Sequence, residues 1–171
     1  MIHVFYPIKI KLVMCIKIIK LPKMNEKEIK EAINSQNLCR IAFIDDEYPY
    51  ISPFQYVFID DTLYFHFTDY GKKKDILSNN PNVCISIEKF EPDLNSYYFI
   101  SMQGKLELVE NNQIKKEVIN QMVQSARNKF SENFLSAHGF ERSQGWDIFT
   151  TGGQLIYKFK QVGTPIGLKS I

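Results

Sequence analysis

The sequence predicts a β-rich α+β fold, in which six antiparallel strands close a small barrel that is flanked by helices. Between residues 39 and 109, short runs of alternating apolar and polar residues are separated by polar turns, which is typical of an antiparallel meander. The chain contains 13 Phe and 9 Tyr, and many of them fall within these runs, as expected for strands. Its 171 residues suit one domain. Closing the sheet into a barrel leaves no strand edge exposed.

A helix over residues 25–36 is predicted to precede the strands. Asn25 and Glu28 have the spacing of a capping box, in which each side chain accepts a hydrogen bond from the backbone amide of the other residue. Ile29, Ala32 and Ile33 then recur at helical spacing. The next strands are predicted from alternation and turn residues at 39–44, 48–59, 62–68, 82–90 and 96–109.

The rest of the chain contributes two more helices and a last strand. A short helix is predicted from Gly71 to about Asn79, where the NNP turn ends it, and a longer one over residues 112–130. Residues 131–148 are expected to be irregular or to contain one short helix. Residues 154–162 alternate and form the last predicted strand. Gly104 is expected to mark a bulge or a close approach of two backbones.

Two prolines interrupt the strand predicted over residues 48–59. Pro49 and Pro53 lack the backbone N–H that a sheet ladder requires. This strand is therefore expected to be an edge, to be bulged, or to be open to a ligand.

Composition excludes several classes of function. The net charge is +2, from 21 basic and 19 acidic residues, whereas a dedicated nucleic-acid-binding protein would carry a strong basic excess. The cysteines are Cys15, Cys39 and Cys84, and their spacing fits neither a disulfide framework nor a zinc site. Cys39 and Cys84 are expected to be small buried core residues. This cysteine usage fits a reducing compartment, and a cytoplasmic location is expected.

The first 23 residues are predicted to be an N-terminal extension of the domain formed by residues 24–171. Residues 8–21 are apolar and basic, but their longest uncharged run, residues 12–16, is too short for a signal-peptide core or a membrane span. The alternation of Ile and Lys favours a strand, and Met14 or Met24 could be the true start. No membrane association is expected.

Three consecutive lysines open the helix predicted after the third strand. Lys72, Lys73 and Lys74 oppose the helix dipole, which prefers negative charge at an N-terminus. A bound anion would remove this penalty, and a phosphate is the natural candidate. The alternative is that the lysines are a solvated surface run.

A histidine lies in the middle of the third strand. Alternation places Tyr64, His66 and Thr68 on one face and Phe65 and Phe67 on the other. A strand histidine of this kind is either a hydrogen-bonded structural residue or a catalytic one. No carboxylate pair, nucleophile elbow or metal-ligand cluster accompanies it in the sequence.

Residues 38–90 resemble the FMN-binding split-barrel superfamily, which includes pyridoxamine 5′-phosphate oxidase, and are most similar to its nitroimidazole-resistance-like branch. The stretches that carry the resemblance are CRIAFIDDEYPYISPFQYVF, LYFHFTDYGKKKDILSNNPNVCISIE and ISMQGKLELV. The similarity covers roughly residues 25–109 and weakens toward the C-terminus, where Gly167 and Lys169 match. It implies a six-stranded antiparallel split β-barrel with flanking helices.

The resemblance also implies a homodimer with FMN between the subunits. It assigns the phosphate to Lys72 and Lys73, the isoalloxazine ring to the strand from Ser52 to Tyr56, and a catalytic role beside the flavin to His66. Trp146 is expected to cover the flavin from the partner chain or to be a core anchor. The implied cofactor-binding residues are Ser52, Pro53, Phe54, Gln55, Tyr56, His66, Phe67, Thr68, Gly71, Lys72, Lys73 and Trp146.

Departures from the oxidase argue against vitamin B6 oxidation. Ser52 replaces an arginine of the oxidase, lysines replace its phosphate-binding arginines, and the residues that grip pyridoxal phosphate have no counterpart. The expected function is therefore an FMN-dependent oxidoreductase that reduces a small, planar, electron-poor substrate, with His66 as proton donor. The alternatives are a non-enzymatic flavin-binding, storage or redox-sensing protein, a barrel that uses F420 or haem, and a barrel that has lost its cofactor.

Overall fold

The computed structural model describes residues 19–129, 133–138, 140–149 and 154–170. Most of the predicted N-terminal extension therefore lies outside the described residues. The elements are α1 (Glu26–Ser35), β1 (Leu38–Asp45), β2 (Tyr48–Ile59), β3 (Thr62–Phe67), α2 (Lys72–Asn79), β4 (Asn82–Phe90), β5 (Tyr97–Leu108), α3 (Asn112–Lys129), α4 (Asn133–Ala137), two 3₁₀ turns (Arg142–Gln144 and Trp146–Phe149) and β6 (Leu155–Lys169).

The six strands form a closed antiparallel barrel in the order β1-β2-β3-β6-β5-β4, with β4 paired to β1. The predicted fold class is thereby confirmed. Alternation along each strand directs one set of side chains inward. The most deeply buried of these inward side chains include Ile41, Phe43, Phe65, Ile85, Ile87 and Ile100.

The predicted capping box holds the start of α1. The Asn25 side chain accepts from the Glu28 amide at 2.9 Å, and the Glu28 carboxylate accepts from the Asn25 amide at 2.8 Å. The buried face of α1, formed by Ile29, Ala32 and Ile33, packs into the barrel core. The buried face that the spacing of these three residues predicts is thereby confirmed.

The barrel is split between β2 and β3. The ladder between β1 and β2 covers residues 48–55 of β2, whereas the ladder between β2 and β3 covers only residues 56–59. Beyond the Tyr56–Phe65 pair the two strands separate, and His66 and Phe67 pair with β6 on their other side. The segment that contains Pro49 and Pro53 is thus open on one edge, which a proline tolerates because it donates no hydrogen bond.

Strand β6 is longer than the sequence predicted. It continues past residue 162 because Gly163, with φ of 75°, allows the chain to bend and then resume pairing with β5 as far as Lys169. The register between β5 and β6 shifts between Ser101 and Gln103.

Helix α3 covers the outer side of β2. Its buried Val118 joins a second apolar cluster with Val57, Val109 and Ile156.

Cys39 is buried in the barrel as predicted. Cys84 is not a core residue: it is half-buried on the outer face of β4, since Val83 and Ile85 occupy the inward positions. Within the described ranges, no helix is both long and apolar enough to cross a membrane.

Candidate functional site

A cavity of about 340 Å³ lies where β2 and β3 separate. Residues of β2, the end of β3, the start of α2, helix α3, helix α4 and the second 3₁₀ turn enclose it. Of the residues predicted to bind a cofactor, the cavity is lined by Pro53, Phe54, Gln55, Tyr56, His66, Phe67, Thr68 and Lys73. It is also lined by Asn37, Val57, Tyr70, Met122, Ser125, Ala126, Phe134, His138 and Phe149.

The imidazole of His66 is held on two sides. Its Nε2 is hydrogen-bonded to the side-chain oxygen of Gln154, and its ring lies edge-on to the Phe149 ring at a centroid distance of 5.8 Å. Burial lowers the pKa of His66 to about 4, against a weaker opposing effect of the Gln154 hydrogen bond. His66 is therefore neutral at neutral pH, with Nε2–H engaged by Gln154 and Nδ1 left as an acceptor.

A second imidazole, which the sequence did not point to, belongs to the same cavity. The His138 ring centroid is 6.2 Å from that of His66. His138 follows α4 and has no motif around it, so only the folded chain brings it to β3. Burial lowers its pKa as well.

The three lysines at the start of α2 point to different partners. Lys72 Nζ lies 2.7 Å from the Asp45 carboxylate, which raises the pKa of Lys72, and Lys74 is paired with Asp69. Lys73 lines the cavity, and the described part of the chain offers it no ion pair. The N-cap of α2, Gly71, supplies no side-chain hydrogen bond, so the positive end of this helix is available to an anion beside Lys73.

Four predicted residues do not line the cavity in this chain. Ser52 is 8% exposed and follows the inward alternation of β2. Gly71 adopts φ of 89°, which suits a glycine at the turn into α2, and Lys72 turns toward Asp45. The Trp146 ring stacks on Phe134, a lining residue, at a centroid distance of 5.6 Å. Binding roles for these residues stay predictions.

The lining suits a planar ring that carries a phosphate. Lys73 is the charged side chain among the lining residues, and no Asp or Glu side chain of the described ranges lines the cavity to repel an anion. Aromatic rings of Phe67, Phe134 and Phe149 supply flat apolar walls, and the open edge of β2 supplies backbone polar groups. The lining is therefore compatible with a flavin.

Solved structures with the same fold come from several bacteria. An FAD-binding protein from Mesorhizobium loti is 17% identical, with 88% of this chain and 96% of that chain covered and a TM-score of 0.57. A candidate 5-nitroimidazole antibiotic resistance protein from Bacteroides thetaiotaomicron is 23% identical, with 88% and 90% covered and a TM-score of 0.56. A haem storage protein from Vibrio cholerae is 16% identical, with 84% and 94% covered and a TM-score of 0.59. At these identities the likeness establishes the fold.

The search of curated proteins found no match to this chain. A family model described as pyridoxamine 5′-phosphate oxidase matches residues 25–139, which is more than half of the 171 residues. The match includes β2, β3 and the start of α2, where the cavity lies, and the resemblance seen in the sequence is confirmed. The chain therefore belongs to the pyridoxamine 5′-phosphate oxidase family of split-barrel proteins.

Proposed function

We propose that this protein binds FMN in the cavity between β2, β3 and α2 and acts as an oxidoreductase on a small, planar, electron-poor substrate. The observation that carries the proposal is the position of Lys73. Its ammonium, which has no ion pair among the described residues, lies at the start of α2, on the same cavity as the open edge of β2 and the imidazole of His66.

The phosphate would bind at the N-terminus of α2. The helix dipole and the Lys73 ammonium both favour an anion there. Thr68 also lines the cavity, but its hydroxyl donates to the Tyr70 carbonyl at 3.1 Å and would have to leave it to reach a phosphate. While Lys72 is paired with Asp45, it would not contact the phosphate and would contribute only a longer-range electrostatic attraction. Lysine binds phosphate as a point charge, so one lysine together with backbone amides suffices.

The ring would lie along β2. Residues 53–55 have no ladder partner on the side that faces β3, so their backbone groups can bond the polar edge of an isoalloxazine. When bound, the flavin supplies the electron-transfer chemistry, and the protein supplies binding and orientation. The apolar cover of Met122, Phe134 and Phe149 would exclude water from the ring.

His66 would orient the ligand through Nδ1 in its neutral form. Its Nε2–H is engaged by Gln154, so donation of a proton to the substrate requires either the imidazolium or release of Gln154. Because burial lowers the pKa of His66 to about 4, a proton-donor role would make activity rise as the pH falls toward that value.

A homodimer would use the outer face of the barrel. Side chains of five neighbouring strands align across this face, in a row that runs Ile51, Ala42, Cys84, Gln103 and Val162. Ile51 and Val162, at the two ends of this row, are each 59% exposed, and Ile166, which pairs with Ser101 on β5, is 63% exposed. The exposed apolar side chains of β6 suit a self-complementary twofold contact. We propose a cytoplasmic location on the basis of the free cysteines.

Haem is the second candidate ligand, because the cavity contains two imidazoles and a haem storage protein shares the fold. The first experiment is the visible absorption spectrum of the protein after mixing with excess FMN and desalting, with haem loaded in a parallel sample. A retained flavin spectrum near one FMN per chain supports the proposal. If the FMN sample is colourless and the haem sample shows a strong Soret band, the FMN proposal is wrong and haem is the favoured ligand.

A further inference from the structure

The proposed function assigns no role to His138, although its imidazole is one of the most firmly held groups of the cavity. The ring stacks on Phe134 at a centroid distance of 4.0 Å and meets Phe149 edge-on at 5.9 Å. Its Nδ1 lies 2.9 Å from the backbone oxygen of Phe134. Two ring contacts and one hydrogen bond fix both the position and the rotation of this imidazole.

The hydrogen bond to Phe134 also fixes the tautomer of His138. A carbonyl oxygen only accepts, so Nδ1 must carry the hydrogen and donate it. A neutral imidazole has a single N–H, and Nε2 is then left with a lone pair. Burial lowers the pKa of His138, which favours this neutral form.

His66 is fixed in a complementary way. Its Nε2 is engaged by the Gln154 oxygen, so Nδ1 is the nitrogen with the lone pair. The two rings lie 6.2 Å apart on one cavity that no described carboxylate lines. The histidine pair therefore offers two neutral hydrogen-bond acceptors beside the aromatic rings of Phe134 and Phe149.

We propose that His138 is a specificity-determining residue, whose Nε2 accepts a hydrogen bond from an N–H group on the edge of a planar, neutral substrate. This inference rests on the proposed function, since the substrate is the molecule that the flavin would reduce. The ligand class is that of electron-poor N–H heteroaromatics and lactams. An N-methylated analogue would leave a buried acceptor unpaired and would also crowd it.

The test uses isatin and N-methylisatin, two planar, electron-poor lactams that differ in this one group. Their dissociation constants are measured on the oxidised, FMN-loaded protein from the change in flavin absorption. The wild-type protein is expected to prefer isatin by about tenfold, the effect of one unpaired buried acceptor. His138→Phe keeps the stacking ring and removes both nitrogens, so the preference is expected to fall to about one. His138→Gln places an amide near the position of Nε2 and is expected to restore part of the preference.

A purely structural role would weaken both ligands to the same extent in His138→Phe and leave their ratio unchanged, which would overturn the inference. No preference in the wild-type protein, or no binding of either lactam, would overturn it as well. Flavin content is measured first for every variant. If the wild-type protein retains no flavin, the proposed function fails on that result alone. The ratio of the dissociation constants of isatin and N-methylisatin is then measured by calorimetry on the cofactor-free protein. A preference for isatin that His138→Phe removes still supports the role of His138, and an unchanged ratio still overturns it.

Discussion

The ammonium of Lys73 lies 4.8 Å from the centroid of the Phe54 ring, where the start of α2 meets the open edge of β2. Phe54 is buried in the barrel and packs on Phe67 at a centroid distance of 4.7 Å. The charge is therefore held against a ring that the core itself fixes. Lys72, the preceding residue of the same helix, is held by Asp45 instead.

Replacing Lys73 by alanine is expected to weaken FMN binding by at least about tenfold, because a charge-assisted hydrogen bond to the phosphate would be lost. Flavin per chain after desalting and a fluorescence titration measure the effect, and circular dichroism checks the fold. Lys72→Ala is the matched control, and its effect is expected to be smaller because Asp45 already pairs with Lys72. Unchanged flavin occupancy in a folded Lys73→Ala protein would remove the phosphate assignment.

Acid is expected to destabilise the fold through His66. Its pKa is about 4 in the folded protein, against 6.5 for an ordinary histidine, so the unfolded chain binds more protons between these values. The corresponding stability is present in full above pH 6.5 and is lost as the pH falls toward 4. The loss at pH 4.5 amounts to about 2 to 3 kcal/mol. The lowered pKa of His138 acts in the same direction.

Urea unfolding at pH 7.5, 5.5 and 4.5 measures this dependence. His66→Gln cannot titrate in this range, so its stability is expected to fall less between pH 7.5 and 4.5 than that of the wild-type protein. Equal falls in the two proteins would show that His66 is not the group responsible.

Local signals in the sequence were enough to predict most of the barrel. The alternation between two Asp-rich turns located β2 at its observed bounds, residues 48–59, and both turns contain residues with positive φ. The Asn25–Glu28 capping box was equally local. Each of these features depends on residues that are close in the chain, where spacing alone carries the information.

The candidate site depends on contacts between distant segments, and this is why the sequence predicted it only in part. Spacing placed Lys72 and Lys73 side by side, but Asp45, from another turn, draws Lys72 away from the cavity. His138 joins His66 only because the end of α4 and the second 3₁₀ turn lie against β3. The continuation of β6 after Gly163 likewise depends on pairing with the far end of β5.

Gly104 is predicted to be essential to the pairing of β5 with β6. A Cβ atom there would lie 2.6 Å from the Phe159 ring and still closer to the backbone oxygen of Lys160, which cannot rotate away. Gly104→Ala is therefore expected to lower the free energy of unfolding by about 1 to 3 kcal/mol. Lys105→Ala, at an exposed position of the same strand, is the control and is expected to have little effect. Equal stability of the two variants in urea would contradict the close approach of the strands.

The outer face of the barrel is predicted to be a dimer interface. Ser101 is exposed on this face and pairs with Ser86 and Ile166 on the neighbouring strands, so an arginine there would add a charge and a long side chain to the proposed interface in both subunits. Ser101→Arg is expected to convert a dimer into a monomer in sedimentation velocity and to lower FMN retention, since the cofactor would lose the partner surface. Gln121→Arg, on an exposed position of α3, adds the same charge outside this face and should remain dimeric. A wild-type protein that is monomeric at micromolar concentration would contradict the dimer. A Ser101→Arg protein that is still dimeric would show that the interface lies on another surface.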